Sequence, residues 1–393
     1  MNDNNSMRKT IYKNEIRYIF EKYHIGEAEQ GRIENSIFEN PYQNSQQINL
    51  KKDINEIEGL LSILNGIINN KNLIGAISSI FIVQEDLELP IALKSLFLEN
   101  KKVGVLVGAG VSKLINLPLW EELADSAIEY LYDKNRINYF ECQKIKNEII
   151  DPKQKLTIFH HLISKNSAES KDFYCDKLNN FDYTNGNPYE NLTRFDWIKL
   201  TSNIDKEFYK ALKNEYDRPP LVAEGASVGS VPKKRRTANI MDNNFNPQNV
   251  DYDTIYHIHG SLDKLDNTVL TTEDYLIAYY VEKSTLKSFL TEIFKTYTII
   301  FIGYGLEEFP ILEHILKGGN EHYALIGTYL NETNFLRFKQ EYLKPLKIKS
   351  IPFFLDFNGY IRLNIILDSW LQQLRAERNA TYYENVREID EVN

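Results

Sequence analysis

Four short strand patterns along the chain each end in glycine or polar residues. Val103 to Val107 before Gly108 and Thr298 to Ile302 before Gly303 are apolar runs. The pattern that ends at Leu200 is followed by the polar cluster from Thr201, and Ile255 to Ile258, where apolar and polar residues alternate, is followed by His259. Apolar runs of this length are typical of buried strands of a parallel sheet. Because the carboxyl ends of such strands form the ligand-binding edge of an open sheet, the pattern predicts a crevice for a nucleotide.

Helical spacing separates and follows these runs. Trp120, Leu123, Ala127, Tyr130 and Leu131 form one apolar face, which predicts a helical insertion over residues 119–195. Beyond Gly305 the pattern predicts, in turn, a helix (Pro310 to Leu316), a strand (Tyr323 to Thr328), a helix (Asn334 to Leu343), a strand (Ile348 to Leu355) and a helix (Tyr360 to Leu374). This alternation predicts an α/β fold, a doubly wound Rossmann-like parallel sheet with a helical insertion and an N-terminal helical extension.

The first 98 residues are expected to be mostly helical. Short helices are predicted over Ile11 to Tyr23, Ile74 to Phe81 and Pro90 to Leu98. An amphipathic helix is predicted by a seam of five apolar residues, Ile54, Ile57, Leu61, Leu64 and Ile68. The extension either packs on its own domain or forms an oligomerisation or partner-docking module, and the sequence leaves both open.

Two further segments differ from the rest in composition. Residues 217–250 are rich in Pro, Gly, Ser and Asn without periodicity, which predicts a loop. Its basic run, Lys233 to Arg236, is either a solvated cluster or a contact to nucleic-acid phosphates or an acidic partner. The expected domains are therefore residues 1–98, a nucleotide-binding domain over 99–376, and an acidic, loose tail over 377–393.

Composition narrows the function classes. The formal charge of −9 argues against a surface that binds nucleic acid throughout, and no apolar run reaches membrane-spanning length. The polar N-terminus does not resemble a signal peptide, and two cysteines fit a reducing cytosol, so a cytoplasmic protein is expected. No set of residues has metal-ligand spacing, and the adjacent His160 and His161 point to different helix faces.

The polar residues at the strand ends have the chemistry of a nucleotide site. Glycines let the backbone approach a ligand closely, and amides at the turn favour a pyrophosphate, although a tight turn alone needs the same residues. The amide of Asn203 carries donor and acceptor groups and can orient a water, or it can cap the next helix. His259 stands at a strand end and is the preferred proton acceptor, with His257 as its competitor.

Four motifs in order, GAGVS, TSNID, HGS and FIGYGL, resemble the sirtuin-like NAD-consuming domains. The segments LPLW, VLTTEDY and FIGYGL are more similar to the bacterial branch found in antiphage defence. The resemblance covers roughly residues 99–376. The chain departs from the deacetylase branch because two cysteines are too few for its four-cysteine zinc module.

The resemblance implies roles for eleven residues. Asn203 and His259 correspond to the catalytic residues, and Asp205 to the aspartate that fixes the nicotinamide end of NAD. The residues implied to bind NAD are Gly108, Ala109, Gly110, Ser112, Thr201, Gly303, Tyr304 and Gly305. Sirtuins commonly carry a hydroxyl residue at the position of Gly305, so the chain departs from the family there.

The function implied is NAD⁺ hydrolysis to nicotinamide and ADP-ribose, with NAD as substrate and no metal. The bacterial branch implies an effector of abortive infection that depletes NAD. The resemblance also implies that the chain forms a homo-oligomer and that a HerA-type DNA-translocating ATPase is its partner. The alternatives are a non-catalytic NAD- or ADP-ribose-binding module that regulates an ATPase or nuclease, and a protein deacylase or ADP-ribosyltransferase. A nuclease is a further alternative, suggested only by the basic run Lys233 to Arg236.

Overall fold

The computed structural model describes residues 25–38, 88–99, 101–217, 236–281, 284–328, 333–355 and 360–392, together with Arg17, Phe20 and Glu21. The seam from Ile54 to Ile68, the helix expected over Ile74 to Phe81, and Lys233 to Arg235 of the basic run lie outside these residues. The chain divides into two compact units. One comprises Met1–Pro90, Ile326–Leu343 and Ser350–Gln373, and the other comprises Ile91–Leu325, Lys344–Lys349 and Leu374–Asn393. The second unit contains every residue of the predicted site.

Seven strands form one sheet in the described part of the chain. They are β1 (Val103–Val107), β2 (Ile198–Thr201), β3 (Asn239–Met241), β4 (Thr254–His257), β5 (Thr298–Ile302), β6 (His322–Thr328) and β7 (Ile348–Phe354). Their order is β3-β4-β2-β1-β5-β6-β7, and the pairs from β3 to β6 are parallel. Strands are added on both sides of β1, so the prediction of an α/β, doubly wound Rossmann-like sheet is confirmed.

The strands form where the apolar runs lie because both faces of the sheet are covered. Every residue of β1, β2 and β4 is buried, which explains the continuous apolar run of β1, whereas β2 and β4 also bury polar residues such as Lys199 and His257. The described helices are α1 (Glu27–Phe38), α2 (Ile91–Leu98), α3 (Ala109–Ser112), α4 (Trp120–Asp133), α5 (Tyr139–Glu148), α6 (Pro152–Leu162), α7 (Ala168–Leu178), α8 (Pro188–Thr193), α9 (Glu207–Asp217), α10 (Thr272–Tyr280), α11 (Thr285–Thr296), α12 (Phe309–Gly318), α13 (Thr333–Leu343) and α14 (Arg362–Val392).

Helices α4 to α8 follow one another between β1 and β2, where the sequence predicts a helical segment. Of the predicted face, Leu123, Ala127 and Leu131 are buried, and Trp120 and Tyr130 pack against the same core cluster. Side-chain caps explain where four of these helices begin, because each cap accepts a backbone N–H of the first turn. The caps are Asn138, Asp151, Ser167 and Asn187.

Two segments differ from the sequence-based expectation. Strand β3 lies within the 217–250 segment, which was expected to be a loop throughout. Three residues are too few for a periodic pattern, and β3 exists because it pairs with β4. The last helix, expected to end near Leu374, continues as α14 to Val392, so the backbone of the acidic tail is helical. Its lack of glycine and proline is compatible with that extension.

The smaller unit includes the ends of β6 and β7 and the start of α14. The Trp370 side chain donates a 3.1 Å hydrogen bond to the Glu88 carbonyl, and the Gln373 side chain accepts one of 2.9 Å from Leu89 N. These bonds join two segments of this unit that are distant in sequence. Among the helices that the structure describes, none has the length and apolarity needed to cross a membrane.

Candidate active site

Strand pairing brings the four predicted segments to one edge of the sheet. Val107 at the end of β1 pairs with Thr201 of β2 and with Ile302 of β5. Thr201 in turn pairs with His257 of β4. The residues that follow these strand ends therefore lie at the carboxyl edge, where open parallel sheets bind ligands.

The turns after β1 and β5 pack directly on each other. Gly108 N donates to the Ile302 carbonyl at 3.0 Å, and Gly110 N donates to the Gly303 carbonyl at 2.9 Å. A Cβ at Gly108 would lie 2.5 Å from Gly303 O, and Gly303 has a φ of +61° with room for no side chain. These glycines are required for the contact between turns, and two of the amides expected at a pyrophosphate are used by protein carbonyls.

Thr201 shapes the turn that presents Asn203. Its hydroxyl donates to the Val107 carbonyl at 3.0 Å and accepts a 3.0 Å hydrogen bond from Asn203 N. Its hydroxyl connects β1 to the turn after β2, and a contact of Thr201 to NAD stays a prediction. Its effect on the site is to position the Asn203 backbone.

The side-chain amide of Asn203 has one fixed orientation. Its Nδ2 lies 3.0 Å from Gly108 O, 2.8 Å from Ser112 Oγ and 3.0 Å from the Tyr189 hydroxyl. Because the Gly108 carbonyl can only accept, the amide nitrogen must face it. Oδ1 is then the other atom of the amide, and it is buried without a hydrogen-bond partner among the described residues.

Asp205 is a buried carboxyl group linked to this amide through a hydroxyl. Its Oδ2 accepts a 2.8 Å hydrogen bond from Ser112 Oγ, and its Oδ1 accepts one of 3.0 Å from Glu207 N. Asp205 is 4% exposed, and burial raises its pKa to about 6 although both hydrogen bonds act to lower it. The carboxyl group is ionised above that pH and protonated below it.

His257 supports the backbone of Asn203. It is fully buried, and its Nδ1 lies 2.9 Å from the Asn203 carbonyl oxygen, to which it must donate. Burial lowers the pKa of His257 to about 4, so the ring is neutral with its proton on Nδ1. This ring holds the turn in place, which is a different task from taking a proton from substrate.

His259 contacts a different set of side chains. Its Nε2 lies 2.8 Å from the Tyr279 hydroxyl and 3.3 Å from Glu308 Oε2, which also accepts a 2.8 Å hydrogen bond from Tyr275. Burial raises the pKa of Glu308, but the charge and hydrogen bonds of His259 and Tyr275 outweigh it, and the pKa lies below its ordinary value. The imidazole thus stands beside an ionised carboxylate.

A small cavity lies at the carboxyl edge. It has an empty volume of about 290 Å³, and Ala109, Ser112, Asn203 and Asp205 are among the residues that line it. Trp120 lines the same cavity and packs edge-on against His259, with ring centroids 6.3 Å apart. The structure therefore brings together four predicted residues, while His259 adjoins them through the indole.

The remaining predicted residues, Tyr304 and Gly305, stand just after the packed turns. The Tyr304 ring stacks on Phe301 with centroids 5.9 Å apart. Gly305 is exposed, and the nearest atom to a Cβ built there is 3.7 Å away. Gly303 is thus needed for packing, whereas a side chain fits at Gly305.

Sequence reasoning missed Tyr189, Tyr279 and Glu308. Asn187-Pro188 before Tyr189 is a helix-start signal, but it does not indicate that the next side chain reaches Asn203. Glu308 follows the FIGYGL motif by only two residues, and its acidic side chain is the signal that could have been used. Tyr279 lies on a helix with no distinguishing motif.

Within the described ranges, no group of three or more His, Cys, Asp or Glu side chains is arranged to hold a metal ion. His160, one of the adjacent pair, places its Nε2 2.9 Å from the Tyr174 hydroxyl. His160 therefore contacts another side chain of the helical insertion.

Residues 198–343 match the family model described as a SIR2-like domain. The matched range contains Asn203, Asp205, His259 and Gly303, but it begins after the GAGVS turn that packs on them. The match supports a sirtuin-like family and an NAD-related activity. No curated protein matches the chain.

Proposed function

We propose that the protein hydrolyses NAD⁺ to nicotinamide and ADP-ribose. The observation that carries the proposal is the Asn203 amide, whose two N–H donors face three protein oxygens while its buried Oδ1 has no described partner. A fixed, unoccupied acceptor beside a cavity is suited to orient a water molecule. The SIR2-like match over residues 198–343 supports NAD as the molecule attacked.

The reaction breaks the bond between nicotinamide and ribose. The nicotinamide leaves with the bonding electron pair, a water oxygen bonds to the ribose carbon, and the water releases a proton. Asn203 Oδ1 would accept a hydrogen bond from that water. The Asp205 carboxylate, when ionised, would stabilise positive charge developing on the ribose. His259 is our candidate for the proton acceptor.

The cavity is an open cleft, and its empty space of about 290 Å³ includes solvent at its mouth. Asn203 and Asp205, the two residues proposed to act at the nicotinamide-ribose bond, line it. We therefore assign it to the nicotinamide-ribose end, with Ala109 and Ser112 beside it. Since the Gly108 and Gly110 amides bind protein carbonyls, we propose close packing as their main role. Contacts from Tyr304 and Gly305 to the adenosine end remain part of the proposal.

The direct experiment is to measure nicotinamide released from NAD⁺ by the purified protein. Asn203→Ala should lower the turnover by about 10²- to 10³-fold and leave NAD affinity within about threefold, because a nucleophile-orienting group acts mainly in the transition state. Asn138→Ala is the matched control, since Asn138 only caps α5. It should cost about 1 kcal/mol of stability and no activity.

The outcomes separate the alternatives. A wild-type protein that binds NAD⁺ but releases no nicotinamide would be a binding module that regulates a partner. Release of nicotinamide only with an acylated peptide would identify a deacylase. Equal loss of affinity and rate in Asn203→Ala would make Asn203 a binding residue.

We also infer a biological role from the bacterial branch that the LPLW, VLTTEDY and FIGYGL segments resemble. It is a cytoplasmic effector of antiphage abortive infection that depletes NAD, acting as a homo-oligomer with a HerA-type ATPase as partner. The support is that resemblance and, for the oligomer, the apolar seam from Ile54 to Ile68. Light scattering on the purified chain, with Leu61→Asp and Leu64→Asp together as the variant, measures the assembly.

A further inference from the structure

We infer that Tyr189 is a positioning residue for Asn203, an inference that rests on the proposed NAD⁺ hydrolysis. Tyr189 lies in α8, outside every motif at the strand ends. It is fully buried, and its hydroxyl lies 3.0 Å from Asn203 Nδ2 and 2.8 Å from Ser112 Oγ. Two contacts fix the position of the Tyr189 ring. Its N–H donates to the Asn187 side chain at 3.0 Å, and its ring packs on Phe208 with centroids 5.1 Å apart.

The donors of this network have a single direction when Asp205 is ionised. The carboxylate only accepts, so the Ser112 hydroxyl proton points to Asp205 Oδ2 at 2.8 Å. Asn203 Nδ2 carries two N–H groups for three oxygens, so one faces the Gly108 carbonyl and the other is shared between the Tyr189 and Ser112 oxygens, which both accept from it. The Tyr189 proton then points to Ser112 Oγ. The chain runs from Asn203 through Tyr189 and Ser112 to Asp205.

The direction of the chain supports the amide orientation that the Gly108 carbonyl requires. With Nδ2 held by Tyr189, Ser112 and the Gly108 carbonyl, Oδ1 is the atom without a described partner. Burial raises the pKa of Tyr189 well above 10, so its hydroxyl stays neutral and serves as a link rather than a base. Tyr189 thus acts through Asn203 and has no role in proton transfer.

Protonation of Asp205 would oppose this arrangement. A protonated carboxyl can donate to Ser112, which would then donate to Tyr189. The Tyr189 proton would face an amide nitrogen that cannot accept it, so the amide would lose one of its supports. The link makes the orientation of Asn203 sensitive to the charge on Asp205.

The test compares Tyr189→Phe with Tyr174→Phe. Tyr174 is a matched control because it is also fully buried and its hydroxyl makes one 2.9 Å contact, to His160. We expect Tyr189→Phe to lower kcat by about tenfold or more with KM for NAD⁺ within about threefold, because misplacement of an orienting group acts on the transition state. Tyr174→Phe should keep both constants.

A product ratio distinguishes positioning from a general structural defect. In buffer containing methanol, the alcohol competes with water for the ribose carbon, giving methyl ADP-ribose and ADP-ribose, each with release of a proton. Looser control of water should raise the methanol-to-water product ratio in Tyr189→Phe, in the same direction as in Asn203→Ala. A structural defect lowers both products equally and leaves the ratio unchanged.

The inference would be wrong if wild-type protein hydrolyses NAD⁺ but Tyr189→Phe leaves the methanol-to-water product ratio unchanged. It would also be wrong if kcat and KM of Tyr189→Phe equal those of Tyr174→Phe. A wild-type protein that releases no nicotinamide rejects the proposed function itself, and the role of Tyr189 with it.

Discussion

At the scale of single residues, the two histidines at the end of β4 have different partners. His257 donates from Nδ1 to the Asn203 carbonyl, whereas His259 Nε2 lies next to Tyr279 and Glu308. The first contact supports a turn, and the second joins an imidazole to an ionised carboxylate. Spacing alone left these residues as competitors, and their contacts favour His259 as the acid-base residue.

Alanine substitutions should separate the two roles. His259→Ala should keep the fold and lower NAD⁺ cleavage by about 10²- to 10⁴-fold, the range for a lost general base. His257→Ala should lower the free energy of unfolding by about 1–3 kcal/mol, because the buried Asn203 carbonyl loses its donor. Nicotinamide release and denaturant unfolding measure both effects. A stable but inactive His257→Ala beside an active His259→Ala would reverse the assignment.

The charge on Asp205 leads to a pH-dependent prediction: ionisation of this carboxyl group should lower the stability of the fold and raise the activity. Its folded pKa of about 6 lies above the ordinary value of 3.8, so the folded state binds the proton more tightly than the unfolded one. The stabilisation from that proton is complete below pH 3.8 and is lost as the pH rises through 6. Ionised Asp205 therefore lowers stability at pH 8, by up to about 3 kcal/mol.

Asp205→Asn should accordingly be more stable than wild type at pH 8 and show no such gain near pH 4. An amide can still accept from Glu207 N and can donate to Ser112. The same variant should lose NAD⁺ cleavage, and wild-type activity should fall as the pH drops through about 6. Denaturant midpoints at the two pH values are the measurement. A variant that is less stable at pH 8 would contradict the buried-charge interpretation.

At the scale of elements, the contact between the β1 and β5 turns depends on glycine. Gly303→Ala would place a Cβ 2.5 Å from Val111 N at a φ of +61°, so both overlap and backbone strain oppose it. We expect it to lower the free energy of unfolding by about 2–5 kcal/mol or to abolish soluble expression.

Gly305→Ala is the matched control, because the nearest atom to its Cβ is 3.7 Å away. It should unfold at nearly the wild-type denaturant concentration. Thermal and denaturant unfolding of the two variants provide the comparison. Equal tolerance of both substitutions would show that the two turns are not packed as described.

At the scale of the whole molecule, buried neutral histidines connect stability to pH. His257 and His322 are fully buried, and burial lowers the pKa of each to about 4. His322 Nδ1 accepts from Ile299 N at 3.1 Å, so this ring too has a fixed tautomer. Because the unfolded chain takes up protons near pH 6.5, their stabilisation is complete above pH 6.5 and is lost as the pH falls towards 4.

The free energy of unfolding should thus decrease between pH 7 and pH 4, by up to about 3 kcal/mol for each of the two histidines. Asp205 acts in the opposite direction but is a single group. His322→Gln retains an oxygen to accept from Ile299 N and should flatten the profile. Denaturant unfolding at pH 7, 5.5 and 4 tests this, and a profile that His322→Gln leaves unchanged would contradict it.

The pattern of apolar positions was sufficient for the class of fold. Strands buried on both faces tend to have continuous apolar sequences. Helices with one buried face have apolar residues at every third or fourth position. Most elements from β1 to β7 could therefore be recognised from the local sequence. The exceptions have local reasons. Strand β3 is too short to show a periodic pattern, and it forms because it pairs with β4. No glycine or proline follows Leu374, so no local signal marked where α14 ends.

The candidate site also has features that the sequence predicts and features that only the tertiary structure shows. The sequence by itself determined which residues follow the strand ends, including Asn203, Asp205 and His259, because parallel strands bring their carboxyl ends to one edge. Only the tertiary structure decided what each group contacts. It showed that Gly108, Gly110 and Thr201 make contacts between turns, and it brought Tyr189 to Asn203 and Glu308 to His259. Hydrogen bonds between distant segments depend on packing in three dimensions, and no local pattern of residues encodes them.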